Sequence, residues 1–284
     1  MTEADLGFAL VRDQVERDLD DGKLAMPALP EVAVHVVGSG TKATANAGQL
    51  AQIIGADAAL SRYVLRIAAC AAKRPAAPIL SLQHAIAWLG LDEVSNIAFT
   101  LALQGRLLGV GQQARARRLW RHSLASALWS RQLAHRLSGE TGLCYLCGLL
   151  HDIGKVIALG AISEVAQRAN QWLGAGEYDR LIAVFHRDVG RRVLMSWALP
   201  LTAQRVIAVW EDYRAAGELR WAGNVVNLAH KLADFILHEP AMLMRDALMA
   251  DPAYRDLGLT HEDGEALFDS ASAINAELDR YLSP

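Results

Sequence analysis

His151 and Asp152 stand side by side in the stretch CGLLHDIGKVIALG, residues 147–160. Imidazole nitrogen and carboxylate oxygen together can hold a divalent metal ion. Two adjacent residues supply only part of such a site, so the other ligands must come from elsewhere in the chain. Neighbours on a helix point about 100° apart, at 3.6 residues per turn. His151 and Asp152 can therefore serve one ion only at a helix end or bend, where Gly154 would help. The candidates for the missing ligands are His122 in RLWRHSLASA, His186 in VFHRDVG and His230 in NLAHKLAD. Asp234 lies one turn beyond His230, on the same helix face. His35, His84, His135, His238 and His261 lack such company and read as surface or cap residues.

The other reactive side chains point to structure. Cys144 and Cys147 form a C-x-x-C, but no second pair or histidine pair follows at zinc-finger spacing. The surroundings read as helix, not as the βαβ unit of a thioredoxin site. The two thiols are expected to be buried apolar groups one turn apart. Lys155 could touch a phosphate, but reads better as a helix-end cation. Arg115, Arg117, Arg118 and Arg121 read as one solvated face of a long helix, with docking of an acidic partner as the alternative. The seven tryptophans fall in apolar helical contexts and are expected mostly in the core.

The elements that must position these groups are helices. Ala and Leu dominate, aromatics are 6%, and runs alternating with period two are almost absent. An amphipathic helix is predicted over 3–20. MPALP at 26–30 breaks it, and Pro30 can open the next. Two helical runs fill 46–72, and KRPAAP at 73–78 is a loop. Ser81 caps a helix ending at Gly90, and Asp92 caps the next, to about Leu108. A long helix is predicted from Ala114 to Leu137. Shorter ones follow over 141–151, 153–172, 178–184, 186–196 and 201–214, then an apolar helix over 219–237. Thr260 and Asp263 form a capping box for a last helix to about Tyr281. The expected organisation is a peripheral helix over 1–24, a helical subdomain over 25–112 and a second over 113–284. The weak point between the subdomains is LGVGQQ at 108–113.

Composition bounds the function. With 52% hydrophobic residues and 284 residues in all, the chain can build a sizeable core. A net charge of −3 lacks the basic excess of a nucleic-acid binder. Three cysteines argue against a disulfide scaffold. The start, MTEADLGFAL, has no secretory pattern, and no run approaches the ~18 apolar residues of a membrane span. A soluble protein of the bacterial cytoplasm is expected, without membrane insertion.

The order His122, His151–Asp152, His186 and a late helix resembles the HD superfamily of metal-dependent phosphohydrolases. MPALPEVAVHVV, LAQIIGADAALSRYVLRIAACA, ILSLQHAIAWLGLDEVSNIAF, RLWRHSLASA, CGLLHDIGKVI and FHRDVGRRVLMSWALP sharpen the likeness. In that order they resemble the HDOD domain, a relative of the HD family found in bacterial signalling proteins. The resemblance covers roughly 25–260 and implies an all-α fold of two helical subdomains. It also implies a site at His122, His151, Asp152 and His230, either vestigial or holding a single ion.

The departures carry the functional expectation. Active phosphodiesterases of the HD-GYP kind place a His-His pair after the W-x-L-P turn. Here Trp210 and Glu211 stand there. The superfamily's last aspartate is replaced by His230, with Asp234 displaced by one turn. The D-P-x-L and N-S of the HDOD pattern read DAAL (57–60) and AC (69–70). The chain is therefore expected to be a non-catalytic signalling or scaffold module working through protein partners. No cofactor is expected beyond, at most, one divalent ion. The competing expectation is a single-metal phosphohydrolase acting on a nucleotide or cyclic dinucleotide.

Overall fold

The structure is a computed structural model of the chain and describes residues 3–24, 26–34, 47–69, 79–108, 112–238 and 242–282. The loop expected at 73–78, Cys70, His35 and residues 109–111 of the expected subdomain junction lie outside these. Among the described residues every regular element is helical and there is no strand. The all-α fold expected from composition is the fold found.

Helices α1 (Glu3–Asp20), α2 (Ala47–Gly55), α3 (Ala58–Ala69), α4 (Leu82–Leu89), α5 (Leu91–Leu107) and α6 (Gln113–Arg136) come first. Then follow α7 (Thr141–Leu150), α8 (Ile153–Arg168), α9 (Ala175–Ser196), α10 (Leu201–Val209) and α11 (Arg220–Leu237). The last are α12 (Met242–Ala250), α13 (Pro252–Asp256) and α14 (His261–Leu282). A short helical turn over 31–34 starts after Pro30, whose carbonyl accepts from the Val34 N–H at 2.9 Å. Ser81 Oγ accepts from the His84 N–H at 3.0 Å, as its type predicts. Gly90, at φ 90°, ends α4. Its carbonyl then accepts from Val94, so Gly90 and not Asp92 heads α5. Asp92 sits in the first turn with Glu93, where negative charge meets the open N–H groups.

Two compact units emerge, each drawn from separated segments: Met1–Ala28, Gly105–Trp120 and Asp152–Ala198 in one, Leu29–Gln104, Arg121–His151 and Leu199–Pro284 in the other. In the first unit α8 packs along α9, and α1 lies on both. Gly154 explains the close pairing of α8 and α9. A Cβ there would collide with the His186 carbonyl and come within 2.8 Å of the Gly190 N–H nitrogen. Gly154 thus serves helix contact, not the bend expected of it. α9 runs unbroken where two helices, over 178–184 and 186–196, were expected, and its Gly190 faces Gly154 across the contact. Asp18 accepts from Arg168 at 2.6 Å, and the Trp197 indole donates to the Pro27 carbonyl at 2.7 Å. Arg115 of the expected solvated face is bonded to Asp179 instead, while Arg117 and Arg118 are exposed.

In the second unit α2, α3 and α4 pack on one another, and α7 packs on α10 and α11. Gly148 lets α7 approach α6. A Cβ there would strike Ser130 Oγ and stand 2.7 Å from the Ser126 carbonyl. Arg131 of α6 bridges Glu93 of α5 and Glu277 of α14, and Arg66 of α3 reaches the Arg280 carbonyl of α14 at 3.4 Å. Burial works to lower the Arg131 pKa, yet the charges of Glu277 and Glu93 raise it. The capping box expected at the start of α14 is present: Thr260 N–H donates to Asp263 Oδ2 at 2.7 Å, and Asp263 N–H donates to Thr260 Oγ1 at 3.3 Å.

Four tryptophans, 120, 129, 197 and 210, are buried. Trp88, Trp221 and, at 85% exposure, Trp172 are not; Trp172 falls in the connection after α8. Cys144 and Cys147 are free and buried. Burial pushes the Cys144 thiol up to about 12 and Cys147 well above its usual value, so both are inert. The segment Thr141–Arg168 has a window of mean hydropathy 1.5, enough by length and composition for a membrane span, contrary to expectation. Yet 72% of that window is buried inside the protein, and α7 gives way to α8 at His151–Asp152. Its apolar character is that of a core.

Candidate metal centre

Three imidazoles converge in the second unit. α6 presents His122, α7 ends on His151, and α11 presents His230. His122 Nε2 lies 2.9 Å from His230 Nδ1, and His151 Nε2 lies 3.0 Å from the same nitrogen. The far sides of the rings meet oxygen. His151 Nδ1 is 2.8 Å from the Gly148 carbonyl, which can only accept, so this nitrogen carries the proton. His122 Nδ1 stands 3.3 Å from Asp234 Oδ1, and His230 Nε2 stands 3.9 Å from Asp234 Oδ2.

The sequence explains each placement. His151 closes α7 and Asp152 precedes α8, the helix junction that two adjacent ligands require. Asp152 is 6% exposed and accepts from Lys155 Nζ at 2.6 Å. Lys155 thus lies in the first turn of α8, where the helix dipole disfavours a cation, and Asp152 compensates. The carboxylate beside His122 Nδ1 is Asp234. The 230/234 spacing signalled a shared face, but nothing local signalled that the face would meet α6.

Asp234 is the electrostatic centre of the group. Burial alone would raise its carboxyl pKa. The His122 hydrogen bond, with the charges of His122, His230 and His238, outweighs this and holds it below the usual carboxylate range.

Trp210 closes one side. Its ring meets His151 edge-on at 4.8 Å between centroids and an 89° interplanar angle, and lies 4.9 Å from His230. Asn227 Nδ2 donates to the Trp210 carbonyl at 3.1 Å. Gly223, 3.1 Å from the Tyr213 Cβ for any Cβ placed on it, lets the end of α10 sit close to α11. Glu211 is exposed.

The ligand atoms of His122, His151, Asp152 and His230 all lie within 4.8 Å of one another. His186 is not of this group; its Nδ1 bonds to the Ile182 carbonyl at 3.0 Å on its own helix. Tetrahedral zinc bonds of 2.0–2.1 Å put ligand nitrogens about 3.3 Å apart. The imidazole separations fall a few tenths of an ångström short of that, within reach of small ring rotations. The residues therefore fit one ion. Trp210, with no lone pair to offer a metal, stands against the His151 and His230 rings.

Comparison with known proteins agrees with the fold. The profile of the HDOD domain matches residues 26–213. The crystal structure of an HDOD domain protein of unknown function from Geobacter sulfurreducens superposes with a TM-score of 0.71 at 23% identity, covering 95% of this chain and 98% of that one. A Shewanella amazonensis SB2B protein, provisionally named a metal-dependent phosphohydrolase, gives 0.67 at 21% identity, covering 96% and 99%. An uncharacterized protein of Treponema pallidum (strain Nichols) is 23% identical over 184 residues, 62% of this chain. The match spans only 35% of that relative's length.

Proposed function

Since this chain belongs to the HDOD family, we propose that it is a non-catalytic signal-transduction module of the bacterial cytoplasm, acting through contacts with partner proteins. It keeps a reduced HD-type site able to hold one ion. The observation that carries this reading is Trp210. Its indole lies against His151 and His230, where the resemblance to HD-GYP enzymes would place imidazoles for a second ion. A single ion leaves the charge developing on a phosphodiester less neutralised than two would.

The competing reading, a single-metal phosphohydrolase acting on a nucleotide or cyclic dinucleotide, draws on the survival of His122, His151 and Asp152 together. Hydrolysis assays on cyclic dinucleotides, ppGpp-like nucleotides and simple phosphodiesters with Mg²⁺, Mn²⁺ or Fe²⁺ separate the two. The module reading expects no turnover, and recovery of a defined protein partner from the native cell. Metal-dependent turnover that disappears in His151→Ala sinks it.

A further inference from the structure

Replacing the expected carboxylate by His230 changes what the site can bind, not only how much. We propose that His122, His151 and His230 form a tri-imidazole site selective for one late first-row divalent ion of the Zn²⁺ class, with Asp234 and the Gly148 carbonyl as positioning groups. The inference rests on the reading of a single-ion, non-catalytic site.

The proton positions support it. Gly148 fixes the His151 proton on Nδ1, leaving the Nε2 lone pair directed at His230. Asp234 does the same for His122. His230 Nδ1 lies within hydrogen-bond distance of both acceptor nitrogens; an ion that displaces its proton leaves three lone pairs converging, with His230 Nε2 free to take the proton on the side of Asp234, 3.9 Å away. Asp234 thus orients the His122 ring, and a backbone carbonyl orients that of His151. Metal-bound imidazoles characteristically direct the opposite N–H to such an oxygen. The half-buried Lys155–Asp152 pair reinforces the selectivity. A carboxylate already neutralised by an ammonium at 2.6 Å is a poor anionic ligand, so the nitrogen donors dominate. Imidazole suits Zn²⁺, Ni²⁺ and Co²⁺, whereas Mg²⁺ and Ca²⁺ prefer carboxylate, carbonyl and water.

The test uses the untagged full chain, stripped with a chelator and titrated by calorimetry with Zn²⁺, Co²⁺, Mg²⁺ or Ca²⁺ alone. One Zn²⁺ per chain is expected, with Co²⁺ giving the intense visible bands of low coordination number and Mg²⁺ and Ca²⁺ giving no binding. His230→Gln and His122→Gln should lose the Co²⁺ bands. Asp234→Asn should keep the one-to-one stoichiometry and weaken Zn²⁺ about 10- to 100-fold. Circular dichroism of each metal-free variant separates lost binding from lost folding. A folded chain that ignores Zn²⁺, equal affinity for Mg²⁺, or Co²⁺ bands unchanged in a folded His230→Gln variant overturns the proposal. Absence of Zn²⁺ binding would leave the protein-docking reading standing. Phosphodiester turnover would sink that reading while leaving the proposed ion selectivity intact.

Discussion

Trp210 meets His151 edge-on, ring centroids 4.8 Å apart and the planes 89° from parallel. A ring edge is the positive rim of an aromatic quadrupole, so the contact has a favourable geometry besides its buried area. The indole is 8% exposed and acts as a wall of the site.

Removing that wall should cost stability without creating activity. Trp210→Ala is expected to destabilise by about 3–5 kcal/mol, the range for truncating a buried tryptophan. Urea unfolding measures the loss, and phosphodiester assays run alongside it. Turnover appearing in the variant would mean that Trp210 merely blocks a competent site.

Asp152→Ala should lower the melting temperature. It leaves the Lys155 ammonium unpaired in the first turn of α8, against the helix dipole, and removes a buried ion-pair partner. A loss of about 1–2 kcal/mol follows, or several degrees for a protein of this size. Differential scanning calorimetry checks it. An unchanged melting temperature together with abolished ion binding would make Asp152 a working ligand.

Gly154→Ala should be more damaging than Asp152→Ala. The added methyl meets backbone of α9, which cannot rotate away as a side chain can. The helices must part, at a cost of about 3 kcal/mol or more. Chemical denaturation measures it; a near-neutral result would show that α8 and α9 can slide apart freely.

The start of α14 should titrate. The Thr260 backbone N–H, the Thr260 hydroxyl and Arg136 hold Asp263 down at about 2, against an ordinary 3.8. A carboxyl depressed in the fold adds stability that is complete above about pH 4 and is lost as pH falls through about 2. Asp263→Asn should cost about 1 kcal/mol at pH 7, and the gap to the native chain should close on acidification. Urea midpoints taken from pH 7 to pH 2 test the sign. A gap that widens in acid would be fatal to it.

What the sequence revealed was what neighbours along the chain decide. Ser81, Gly90 and the Thr260–Asp263 pair act within one turn of themselves, so residue type was enough to place them. The continuity of α9 could not be read this way. The buried stripe Leu181, Ile182, Phe185, Val189 and Val193 runs straight through the break expected at Phe185. The convergence of His122 with His230 spans 108 residues, and no local pattern encodes the ring angles. The resemblance indicated which histidines would gather; the role of Asp234 depends on how α6 and α11 meet in space. Trp172 was misjudged because an apolar context along the chain does not say which side faces water.

The C-terminal helix has a consequence for the order of events during synthesis. Arg131 holds Glu277, and Arg66 reaches the carbonyl of Arg280 across 214 residues. Closing so long a loop is slow, because chain entropy is lost before the contact repays it. As the ribosome works from the N-terminus, Arg66 of α3 and Arg131 of α6 emerge well before Glu277 and Arg280, so both contacts must wait until α14 has left the exit tunnel.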